Sequence, residues 1–304
     1  MNHFSSFHPL SLSVFYMTVL ILTMATAHPV LLLTALVLSI LHCGTGRRGA
    51  RIWRDCVFYL FLFILIVGTS PLFSHSGETV LFFLNGKPVT AESFYYSGSV
   101  AVMIIAAVFW CKCLGSVFSS DKIIYLLGRV LPKAALLLSM ALRFVPLLKR
   151  QFHEIQSAQK ALGLYASDSM TDRLTGAFSV LGCLLTWAFE NAVNVADSMR
   201  ARAYGGKKRT NFSIYRFEAR DALLSAVGVG ICAVFFVGAA SGLFEFYYYP
   251  VLSSLRLTEA ETILWFAAAL FMALPSLIQL GGTLLWKYSR SKICASDIPM
   301  ERQF

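Results

Sequence analysis

Cys111-Lys112-Cys113 places two thiols two positions apart, the beginning of a thiolate metal site. A structural metal needs four ligands, and neither a histidine nor a second cysteine pair stands nearby. Gly205-Gly206-Lys207-Lys208 has some of the residues of a phosphate-binding loop. It lacks the earlier glycine and the Ser or Thr directly after the lysine that would hold a metal-bound nucleotide. The chain contains no HExxH, no GxSxG and no paired carboxylates within an apolar run, and Glu190 falls in a polar helix where a solvated or hydrogen-bonded carboxylate is the plainer reading. Asn211-Phe212-Ser213 matches a glycosylation acceptor only by chance if its segment is cytoplasmic, as the charge argued below implies. The sequence therefore predicts no catalytic residue, no bound cofactor and no metal. What remains is basic: Ser198-Met199-Arg200-Ala201-Arg202-Ala203-Tyr204-Gly205 presents two arginines near a helix end, a suitable handle for a soluble partner.

The elements that position this handle follow from hydropathy. Of 304 residues 57% are hydrophobic and only 14% charged, far from the balance of a soluble domain, so the chain is read as an all-α polytopic membrane protein. The net charge of +10 reflects basic loops between apolar runs rather than a nucleic-acid surface, and no nucleic-acid partner is expected. Seven scattered cysteines give no disulfide framework. The first apolar run follows no basic leader region and is read as a retained span.

Leu10 to Cys43 is too long for one crossing, about 51 Å against a hydrocarbon core of about 30 Å, so Pro29 is predicted to break it into two short spans. A basic loop over 44–55 precedes a third span from about Cys56 to Phe73. Residues 74–96 read as an outer loop with a small hairpin around Asn85-Gly86, a fourth span covers about Gly98 to Phe118, and late spans cover about Ala222 to Phe244 and Glu261 to Trp286. Phe244 to Tyr249 suits a headgroup-level aromatic belt.

Charge sets the orientation. Four Lys/Arg lie in 44–55, fifteen in 121–220 and four from Lys287 onward, against Lys87 and Arg256 in the opposing loops. Both termini and residues 121–220 are thus expected in the cytoplasm, with about six transmembrane helices. The expected organisation is spans one to four in 1–120, a cytoplasmic helical segment in 121–220, and spans five and six with a short tail in 221–304. If the apolar stretches 134–148 and 177–189 both crossed the bilayer, the count would become eight; they could also enter it partly or lie on it.

Within the central segment, Leu148, Phe152, Ile155, Ala158 and Leu162 form one apolar helix stripe that Gly163 can cap, and Leu185, Phe189, Ala192, Ala196, Met199 and Ala203 form another. Such stripes suit either the interface with anionic lipid or a docked partner. The spans offer few ionisable groups beyond Lys112, with Gln279 and Pro275 the other notable features. Either the chain is a stand-alone permease or channel for a small solute, or substrate handling belongs to another subunit; a membrane-embedded enzyme would require converging polar groups the spans do not supply.

Three runs in order, Ala141-Leu142-Arg143-Phe144-Val145-Pro146, Ala158-Gln159-Lys160-Ala161-Leu162-Gly163 and Met199-Arg200-Ala201-Arg202-Ala203-Tyr204-Gly205, resemble the transmembrane T component of energy-coupling factor (ECF) transporters, the family that includes the cobalt permease CbiQ. The likeness extends over nearly the whole chain, taking in His28-Pro29, Ser70-Pro71-Leu72-Phe73 and His75-Ser76-Gly77-Glu78. It implies a multi-pass protein of the bacterial inner membrane that joins two cytoplasmic ATPases to a membrane S component, which binds a vitamin or metal ion. It also implies two long, crossed coupling helices, each ending in a short motif, typically Ala-Arg-Gly, that seats in one ATPase. Here the second motif reads Ala201-Arg202-Ala203, without the glycine, and the first reads Ala161-Leu162-Gly163, with leucine in the arginine's place.

Overall fold

The computed structural model describes residues 3–46, 49–73, 78–84, 87–163, 170–204, 215–242, 244, 246–249 and 259–295. Asn85-Gly86, His75-Ser76-Gly77, Gly205-Gly206, Lys207-Lys208-Arg209 and Asn211-Phe212-Ser213 lie outside them. The chain divides into two compact units, one of residues 1–119 with 215–304 and one of residues 120–214.

The first unit is a helical bundle. α1 (Pro9–Ala25) and α2 (Pro29–Gly46) are the two short helices expected on either side of His28-Pro29. Proline opens each because its missing N–H is one the first helical turn leaves unbonded anyway. α3 (Gly49–Phe73) follows, then an antiparallel pair of β1 (Val80–Leu84) and β2 (Lys87–Thr90) in which Leu84 pairs with Lys87. α4 (Ala91–Val117) completes the first half of the unit.

In this half two boundaries depart from expectation. The basic stretch over 44–55 is not all loop, since α3 begins at Gly49 and carries Arg51 and Arg54 in its first turns. At 25 residues, about 37 Å, it exceeds the hydrocarbon thickness and leaves a turn or two for charged residues outside it. α4 starts seven residues before Gly98 because its serines do not break it: Ser97 Oγ donates to the Phe94 carbonyl at 3.0 Å and Ser99 Oγ to Tyr96 at 2.8 Å, satisfying both hydroxyls inside the helix.

The second half of this unit is α8 (Ala219–Ala240) and α9 (Glu259–Ala295), the latter continuing nine residues past Trp286 where a tail was expected. The core is aromatic. Tyr16, Phe15, Phe109, Trp110 and Phe271 are fully buried where α1 and α2 pack on α4, α8 and α9. Tyr248 departs from the expected headgroup belt: it is buried, and its hydroxyl donates to the Ala27 carbonyl at 2.6 Å, bracing the α1–α2 turn, while Tyr247 is exposed.

Among the described residues, four helices are long and apolar enough to cross a membrane, Ala91–Val117, Met170–Ala201, Ala219–Ala240 and Glu261–Trp286, and three apolar helical stretches, Pro9–Ala25, Pro29–Gly44 and Cys56–Thr69, are shorter. The protein is all-α apart from the small strand pair and is built for a membrane.

The second unit contains α5 (Ser120–Val130), α6 (Pro132–Ala161) and α7 (Met170–Ala201). Pro132 opens α6, and Lys160 and Arg200 complement the carbonyl ends of α6 and α7. At 30 and 32 residues these two helices reach about 45 and 48 Å.

Candidate functional site

α6 and α7 pack on each other, and Gln159 Nε2 near the end of α6 lies 3.9 Å from Cys183 Sγ, well inside α7. The end of one helix thus meets the middle of the other. The less exposed face of α7 runs through Val180, Leu184, Trp187, Asn191, Val195 and Met199, and that of α6 through Phe144, Leu148, Gln151, Ile155 and Gln159. The apolar stripes expected from sequence are offset from these faces: Met199, Leu148 and Ile155 are shared, but Phe152, Leu185 and Phe189 are exposed, Phe189 to 71%. Glutamine and asparagine take positions on the less exposed faces, and aliphatic and aromatic side chains are left uncovered outside them.

The six motif residues stand at the two helix ends. Ala161 is the last residue of α6; the Leu162 N–H donates to the Ala158 carbonyl and the Gly163 N–H to Lys160, both at 3.1 Å. Leu162 is 77% exposed, a large apolar side chain at the tip of a helix. Gly163 turns left-handed at φ 87.

The end of α7 repeats this backbone with different side chains. Ala201 closes the helix, the Arg202 N–H donates to Ser198 at 3.2 Å, the Ala203 N–H to Arg200 at 2.9 Å, and the Tyr204 N–H reaches back to Met199 at 3.0 Å. These last two bonds are the pair that defines a Schellman cap, with Ala203 as its left-handed residue at φ 56. Arg202 is exposed. Its neighbour Arg200 lies 3.9 Å from Asp197 in an exposed i,i+3 pair. Each end thus exposes the side chain just before its left-handed residue, leucine on α6 and a guanidinium on α7. The positive φ of Ala203 was not legible in the sequence, since alanine carries no signal for that conformation.

A bundle of apolar helices and a separate unit of two long, packed helices with capped, solvent-exposed ends place the chain among helical membrane proteins. The chain belongs to the cobalt transport protein CbiQ family, whose model matches residues 8–212. Among curated relatives, it is 29% identical to the energy-coupling factor transporter transmembrane protein EcfT of Listeria innocua over 180 residues, 55% of this chain and 67% of that protein. It is 27% identical to the EcfT of Bacillus selenitireducens over 220 residues, 68% and 82% of the two chains. The EcfT of Thermotoga maritima matches at 23% over 217 residues, 66% and 78%. The chain is thus a membrane component of the ECF transport class.

Proposed function

We propose that the chain is the non-catalytic coupling subunit of an ECF-type importer, passing the ATP-driven closure of two cytoplasmic ATPases to a membrane S component that binds a vitamin or metal ion. The observation that carries this reading is the pair of exposed helix ends with one shared backbone geometry, Ala161-Leu162-Gly163 and Ala201-Arg202-Ala203. When ATP draws two soluble subunits together, a rigid helix seated in each must move with it. The displacement then reaches whatever packs along the same helices, and the uncovered apolar side chains of α7, Leu174, Phe178, Leu185, Phe189 and Val193, offer that surface to the S component and the bilayer.

In this arrangement residues 1–120 and 221–304 anchor the protein in the bacterial inner membrane, and 121–220, like both termini, face the cytoplasm. The seats differ in chemistry: Leu162 fills an apolar groove and Arg202 meets carboxylates, which a guanidinium fork can hold bidentately. A stand-alone permease draws no support from two open clefts of the membrane unit, about 630 Å³ between α1 and α8 and about 530 Å³ beside α2 to α4, which are lined mainly by apolar side chains. Affinity purification of the chain from cells that coexpress it with ECF ATPases and an S component tests the proposal. The expected outcome is a complex holding two ATPase subunits and one S component for each chain; a chain that purifies alone yet supports uptake would overturn it.

A further inference from the structure

The two motifs differ at their second and third positions, Leu-Gly against Arg-Ala, yet the backbone takes the same course through both: last helical residue, then Leu162 or Arg202, then a left-handed residue bonded to the carbonyl three positions back. Glycine enters the left-handed region freely, but an L-residue with a Cβ meets the following carbonyl there. Ala203 is the one non-glycine with positive φ among the described residues. Such an outlier persists only where its surroundings over-determine it, and here the Met199 and Arg200 carbonyls hold it by two hydrogen bonds.

We propose that residues 163 and 203 are positioning residues: their left-handed turns aim Leu162 and Arg202 off the helix tips, so the backbone at each seat is common and the preceding side chain alone chooses the seat's chemistry. This rests on the coupling reading above and adds to it a role for the third motif position, glycine in one motif and alanine in the other. It also implies that this chain holds Arg202 less firmly than a glycine would. At residue 163 no neighbouring atom would touch an added Cβ, so any substituent effect there is torsional rather than steric.

The test uses the full chain in nanodiscs, with purified ECF ATPase subunits as the probe and Ala203 replaced by Gly, Asn or Val. Asparagine and valine are close in size, but asparagine tolerates the left-handed region and a β-branched residue does not, so the pair separates backbone from bulk. We expect Ala203→Gly to bind ATPase about threefold or more tightly than wild type, Ala203→Asn to remain within about threefold, and Ala203→Val to weaken binding about tenfold. Amide exchange at Tyr204, which needs no ATPase, should slow in Gly and quicken in Val.

If residue 203 acts through Arg202, Ala203→Val should have little further effect in an Arg202→Ala background. Equal losses from Asn and Val, or an undiminished Val effect without Arg202, would overturn this proposal while leaving the coupling reading intact. Wild-type binding by Arg202→Ala itself would remove both, and the order of Tyr204 exchange rates would then report an ordinary helix cap with no positioning role.

Discussion

Arg202 and Arg200 lie two positions apart on the same basic helix end, and the account assigns them unequal weight. A guanidinium held in a partner groove against carboxylates leaves a buried, unpaired charge when it is removed, a loss of about 2–5 kcal/mol. A residue that only meets lipid headgroups contributes about 1 kcal/mol and fades with salt. Arg202→Glu is therefore expected to abolish uptake while membrane insertion proceeds. Arg200→Ala, which removes a guanidinium in an exposed 3.9 Å pair with Asp197, should do much less. Leu162→Arg should weaken uptake, because a guanidinium pressed into an apolar seat loses its hydration with no carboxylate to meet it. Uptake assays in cells check all three, and equal damage from substitutions at Lys207, Lys208 and Arg209 would point to diffuse electrostatics instead. At this scale the position of Arg202 at an exposed helix end was legible, because the glycines after it mark where the helix stops; the left-handed turn after it was not, because alanine predicts right-handed helix.

At the scale of elements, the joins between helices carry constraints that periodicity cannot reveal. Asp221 in the first turn of α8 is 1% exposed, and its two carboxylate oxygens accept the His8 N–H at 2.9 Å and the Glu218 N–H at 3.0 Å, while the Ser11 hydroxyl donates to its carbonyl. The start of α1 is thereby tied to the start of α8, 213 residues away in sequence. Asp221→Ala strands two backbone donors at about 1–3 kcal/mol each and should lower the midpoint of thermal unfolding in detergent, with Asp221→Asn intermediate. Sequence reading began this helix at Ala222 and passed over the acid, since glutamate is an unusual N-cap and the partner of Asp221 lies at the other end of the chain.

His28, in the turn between α1 and α2, supplies a pH dependence. Its Nδ1 accepts the Val30 N–H at 3.4 Å, and its ring lies against Trp265 and Phe246. Burial pushes its pKa below the ordinary 6.5, opposed by the charge of Glu261. The folded chain therefore takes up a proton less readily than the unfolded one. Stability from this site is complete above pH 6.5 and declines as the pH falls below it. Thermal midpoints from pH 7.5 to 5 should fall for the wild type and fall less steeply for His28→Gln; parallel slopes would contradict this. Pro29 told where α1 and α2 divide, whereas the aromatic environment of His28 depends on residues more than 200 positions away.

For the whole molecule, the distribution of charge and the order of apolar runs were enough to read a helical membrane protein, and the family match covers residues 8–212. Less legible was the relation of the long central helices to the bilayer. Met170–Ala201 is long enough for a span but less apolar than the other three candidates, it ends in the basic motif, and most of it is uncovered within its own unit. Hydropathy cannot separate a helix that crosses lipid from one that presents an apolar face to a partner. In a cysteine-free background, Asp172→Cys and Asp197→Cys mark the two ends of α7. Both should resist a membrane-impermeant thiol reagent in intact cells and react after the membrane is opened from the inside, and labelling of either from outside would contradict the cytoplasmic assignment.

The central claim is that the two helix ends are separate seats for two ATPases, one apolar and one charged. Native mass spectrometry of the purified complex counts those subunits directly. The account predicts two ATPases on the wild-type chain and a dominant species with one on Arg202→Glu, whose Leu162 seat is untouched. Two ATPases retained at wild-type occupancy by Arg202→Glu would contradict it.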